Sequence, residues 1–137
     1  MNYYFLKYAD NLSDKFGGEK YGPLIKIRPK HKEDPGLLVH QKTHVRQWYT
    51  VMATLLVIAV AGWMSVTPLF LSLAGLAPFG HQLLYRYVRS YRRWCEVRAY
   101  HQIAAGGYTN KEFAVNALVE KYDLGLNINE ARALLSD

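Results

Sequence analysis

A chain of 137 residues, half of them hydrophobic, is long enough to bury the core of one domain and short for two. Its single cysteine, Cys95, excludes an internal disulfide, and the sequence holds no glycine-rich phosphate loop, no cysteine-rich zinc knuckle and no sustained heptads. A net charge of +6 leaves nucleic acid, an acidic surface and an anionic membrane face open as partners.

The N-terminal MNYYFLKYADNLSDK has no basic stretch followed by an apolar run and does not read as a signal peptide. Residues 1–22 are aromatic and polar without a clear period, with turns marked by Gly17-Gly18 and Gly22-Pro23. Leu24-Ile25-Lys26-Ile27-Arg28 alternates apolar and basic, which predicts a half-exposed strand ended by Pro29. After a charged loop, Asp34-Pro35 supplies an N-cap and a first-turn proline for a helix carrying Leu37, Leu38, His40, His44 and Gln47.

Residues 47–85 contain no Asp, Glu, Lys or Arg. That stretch exceeds one membrane span of about 20 residues. It reads as two helices, 49–64 and 68–76, with Thr67-Pro68 opening the second and Gly75, Pro78 and Gly80 breaking it. A third helix, 81–105, ends at Gly106-Gly107. Thr109 and Glu112 have capping-box spacing for a helix to Tyr122, Asp123-Leu124-Gly125 forms a turn, and Asn129 caps a last helix over 130–135. The chain thus divides into a strand and loop region (1–36), a central helical region (37–106) with an apolar hairpin (49–80), and a C-terminal helical appendage (107–137). The expected class is mainly α.

The segment His40-Gln41-Lys42-Thr43-His44 carries the chemistry. Histidines at i and i+4 lie on one helical face, so both rings can reach one metal ion. The spacing is that of the zinc-peptidase signature H-E-x-x-H with glutamine in place of glutamate. A catalytic zinc site wants a third protein ligand. Among the few later acidic residues, Glu96 is the best placed, because it follows a run of cations on a helix rich in aromatic residues and alanine. It could equally pair with Arg92, Arg93 or Tyr100 on its own helix. Tyr100, one turn on, is a candidate oxyanion donor or an ordinary packing residue, and Gln47 is a candidate to orient a ligand histidine. His31 and His101 read as surface residues, and His81 has no evident partner.

The stretch Ile25–Trp48, with Arg28-Pro29, Leu37, His40, His44, Val45 and Gln47, followed by Glu96-Val97-Arg98-Ala99-Tyr100, resembles the small zinc metallopeptidase-like proteins of bacteria and bacteriophages. The likeness covers residues 24–105. It implies a minimal gluzincin-like fold with little sheet, zinc as cofactor, and His40, His44 and Glu96 as its ligands, with Ala99 letting the ligand helices approach. Peptide or peptidoglycan-type amides are the implied substrates. The departure is Gln41, which stands where the family has its general base. A neutral amide cannot take a proton from attacking water. Loss of such a base costs roughly 10²–10⁴-fold in rate, so the chain is expected to be inactive or nearly so. Gln41 fits an inactivated variant of an H-E-K-T-H enzyme, which the intact ligand set favours slightly, or a natural pseudoenzyme that keeps its metal.

The apolar stretch is constrained by the same site. If His44 and Glu96 share a metal, a single membrane crossing between them is excluded. The segment must then cross twice, re-enter, or lie in a core. Arg46 on one flank and Arg86, Arg89, Arg92 and Arg93 on the other suit a hairpin with both ends on one face. Leu55, Leu56, Ile58, Trp63, Leu69 and Phe70 are its expected membrane or partner contacts. The overall mean hydropathy, −0.14, is low for an integral membrane protein. The alternative to a disabled peptidase is a virion, tail or membrane-docking protein with a vestigial or structural zinc site. A phage virion or a bacterial membrane is the expected location. Nucleic-acid binding through the arginines and tyrosines of 85–94 ranks last.

Overall fold

The computed structural model describes residues 3–13 and 15–136, and its chain is mainly helical with a small N-terminal sheet. Three strands open it: β1 (Phe5–Tyr8), β2 (Gly18–Tyr21) and β3 (Leu24–Ile27). β3 is central, parallel to β1 and antiparallel to β2, with Phe5 opposite Leu24 and Gly18 opposite Ile27. The two-residue β2–β3 turn needs Gly22, whose φ of 57° lies in the left-handed region. β3 shows in the sequence because Ile25 and Ile27 face inward while Lys26 lies over the Tyr21 ring. β1 and β2 fall in the stretch that lacks a period. All four residues of β1 are exposed and β2 begins on glycine, so pairing with β3 makes them strands. Arg28 then ties down the 9–17 loop, donating to the carbonyls of Phe16, Leu12 and Ser13 at 3.2, 3.0 and 3.2 Å.

Five helices follow: α1 (Pro35–Ser65), α2 (Ser72–Tyr87), α3 (Arg89–Ala105), α4 (Lys111–Glu120) and α5 (Ile128–Leu134). The Asp34 carboxylate caps α1, accepting from the Leu37 amide at 2.9 Å, with Pro35 behind it as the sequence suggests. Several boundaries differ from expectation. α1 is one helix rather than two, because nothing between Trp48 and Val51 interrupts a helical ladder. Thr67-Pro68 opens a 3₁₀ turn, Pro68–Leu71, instead of the second helix. α2 runs through Gly75, Pro78 and Gly80, since its packing against α1 outweighs the one backbone donor that Pro78 lacks. The long third helix is broken at Val88, which is extended (φ −109°, ψ 99°) with no glycine or proline to announce it. Asn110 rather than Thr109 caps α4 at 2.7 Å, and Asn127 rather than Asn129 caps α5 in a reciprocal box with Glu130.

Two apolar clusters lie at the ends of this arrangement. Ile25, Ile27 and Val45 join the sheet to the first half of α1. Tyr100, Ile103, Val115, Leu118 and Leu124 join α3 to α4 and α5. Between them lie buried polar residues.

Candidate metal centre

His40 and His44 sit on the half of α1 that packs under the sheet, and Glu96 comes from α3. Ala99, fully buried one turn after Glu96, lets the two helices close on each other. All three ligand candidates are buried, and one ligand atom of each lies within 4.8 Å of the others. The two Nε2 atoms are 3.1 Å apart. His40 Nε2 is 3.4 Å from Glu96 Oε2, and His44 Nε2 is 3.3 Å from Oε1.

Hydrogen bonding fixes the proton on His44. The Gln47 side-chain nitrogen donates to the Cys95 carbonyl at 3.1 Å, which turns its oxygen toward His44 Nδ1 at 2.8 Å. Nδ1 therefore carries the hydrogen and Nε2 presents its lone pair to the centre. The Tyr85 hydroxyl donates to Glu96 Oε1, while the buried Oε2 has no hydrogen-bond partner among the described residues. Four lone-pair atoms thus face one another, with at most the proton of His40 to share. Burial holds the His40 imidazole below its ordinary pKa, which favours the neutral form a metal requires. For Glu96, burial pushes up, but the adjacent His44 and His40 outweigh it and hold the carboxyl below the usual carboxylate range. The buried carboxylate needs a positive partner: a proton shared with the imidazoles can supply it, and a divalent cation would supply it with both rings neutral. The residues fit a two-nitrogen, one-oxygen site.

Two clefts flank the site. One, of about 350 Å³, is lined by Lys20, Tyr21, His81, Tyr85 and Glu96, and the other, of about 590 Å³, by Phe16, Arg28, Asp34, Tyr100 and Tyr108. Phe16, Gly18, His40, Gln41 and Tyr122 line both. Gln41 donates its amide to the Gly18 carbonyl of β2 at 3.2 Å, so it pins the edge strand to the metal helix. Tyr100 stacks edge-on against His40, with ring centroids 4.7 Å apart, and its hydroxyl is 3.0 Å from that of Tyr122.

Four residues here carried no sequence signal. Tyr85 holds Glu96 from a helix that the sequence merges with another. Tyr122 arrives from beyond α4. His81, fully buried, meets the Tyr91 hydroxyl through Nδ1 at 2.8 Å, while its Nε2 has no partner among the described residues. Lys20, on irregular-looking β2, buries an ammonium nitrogen that has no partner among the described residues and whose pKa burial lowers to about 8. Arg92 and Arg93 do not pair with Glu96. They reach the Asp123–Leu124 turn, where Arg93 donates to the Leu124 carbonyl at 2.9 Å. In the hairpin, Leu56, Ile58, Trp63 and Leu69 are exposed, whereas Leu55 and Phe70 are half-buried. No protein-family model, curated protein or solved structure matches the chain.

Proposed function

We propose that this chain is a zinc metallopeptidase-like protein acting on peptide-type amides in its H-E-x-x-H form and disabled as written by Gln41. The observation that carries the reading is the meeting of His40, His44 and Glu96, whose ligand atoms all converge on one buried point. Zinc suits that donor set and, when bound, would supply Lewis-acid polarisation of an amide carbonyl. The chain's own groups fit the rest. β2 lines the cleft as the sheet's edge, where an extended peptide can add by backbone pairing. Lys20 and Tyr122 line the same cleft and carry groups that could donate to a carbonyl or carboxylate. Gln47 holds the His44 tautomer, and Tyr85 orients Glu96.

A second reading, a metal-holding protein with no hydrolytic past in this chain, is favoured by the Gln41–Gly18 bond, which an ionised glutamate could not make. The Gln41→Glu variant separates the two. Under the first reading it acquires zinc-dependent hydrolysis of a broad peptide panel. Under the second it loses about 1–3 kcal/mol, the cost of a buried carbonyl left unpaired, and hydrolyses nothing.

A further inference from the structure

The α1–α2 hairpin has small residues inside and large apolar residues outside. Over residues 49–80 the described residues that are buried are Ala59, Gly62 and Ala77, the alanines at 0% and 1% exposure. Gly62 lies so close to the Phe70 ring that a Cβ would sit 2.1 Å from it, and a Cβ on Gly80 would sit 2.4 Å from Leu55. The outer faces carry Val57, Val60, Met64, Leu69, Leu76 and Phe79, from 48% to 78% exposed. Helices that pack in water bury the large residues, whereas helices that pack in lipid bring small residues together and turn large ones outward.

The polar groups agree. The Thr50 and Thr54 hydroxyls donate to the carbonyls of Arg46 and Thr50, at 3.0 and 2.9 Å, and Ser72 donates to the Leu69 carbonyl at 2.7 Å. At the tip, the Val66 and Thr67 amides both reach the Gly62 carbonyl, at 2.8 and 3.1 Å. Such self-satisfaction is what a medium without water demands. α1 holds an 18-residue stretch of mean hydropathy 1.6 that is only 11% buried, where a core helix would be mostly covered. From Tyr49 to Ser65 it rises about 25 Å at ~1.5 Å per residue, against a hydrocarbon thickness of about 30 Å.

Charge selects the side. Arg46 and Arg86 are both exposed at the base of the hairpin, at the level where the His44 and Tyr85 rings meet 6.0 Å apart. Such paired cations complement an anionic leaflet. We infer that residues 49–80 insert into an anionic lipid bilayer from one face as a helical hairpin, which holds the His40–His44–Glu96 cleft at the membrane surface. His81, Gln82 and Tyr85 of that cleft lie on the turns of α2 just outside the inserted segment.

Flotation of the full chain with vesicles of phosphatidylcholine and phosphatidylglycerol, with and without EDTA, tests this apart from the metal. The chain is expected to float in both. Val57→Lys with Leu69→Lys, two exposed positions, is expected to remain in the load with its far-UV circular dichroism unchanged. If that variant unfolds, the unsubstituted chain still decides. Lipids brominated deep in the acyl chain should quench its tryptophan fluorescence, and Trp63→Phe should remove most of that quenching. A chain that stays monodisperse without lipid and fails to float overturns the inference. So does a lipid-free dimer that the lysines dissociate, which would give the face to a second copy.

Discussion

One helix, α1, passes through two environments. Over its first half, His40, Gln41, Thr43, His44 and Gln47 point inward and are buried. Over its second half, Val57, Ile58, Val60, Trp63 and Met64 point outward and are exposed. The first half follows water rules in an inverted form, with polar groups buried because each is hydrogen-bonded or belongs to the His40, His44 and Glu96 group that could hold a metal ion. The second half turns its apolar groups outside, where none of the described residues covers them, which is the arrangement the proposed bilayer would require. The difference shows that burial alone does not tell a core from a site. What separates them is whether buried polar atoms have partners and whether exposed apolar atoms have neighbours.

Breaking the first half should leave the second intact. His44→Ala is expected to abolish one-per-chain zinc, read by elemental analysis of protein purified without added metal, while vesicle flotation persists. Gln47→Ala frees the His44 tautomer and should weaken zinc roughly 10–100-fold, measured by competition with a chromophoric chelator. Zinc at 100-fold above its Kd should raise unfolding stability by about 2.7 kcal/mol, seen as a shift in the denaturant midpoint that His44→Ala erases. Breaking the second half should spare the metal. Gly62→Leu forces Phe70 off the helix pair and should cost about 1–3 kcal/mol in detergent-solubilised protein, with zinc stoichiometry unchanged. Asn127→Ala lies in neither half. Losing the α5 cap should cost about 1 kcal/mol by thermal melting and alter neither zinc nor flotation.

The histidine pair was legible because the 3.6-residue period alone puts His40 and His44 on one face. The Asp34-Pro35 start and the β3 alternation were legible for the same local reason. Tyr85, Lys20 and His81 were not, since each reaches the site across a break or a pairing that has no local signature. Val88 ends α2 without glycine or proline, and β2 exists because β3 lies beside it.

Composition and periodicity by themselves determined a mainly helical chain, a histidine pair of metal spacing, and an uncharged stretch too long for one span. Tertiary structure decided that Glu96 reaches that pair, that Tyr85 and Gln47 orient it, and that the apolar stretch turns its large side chains outward. A helical period fixes which side chains share a face, but which face meets what depends on packing between distant segments, and packing is settled only when the whole chain closes.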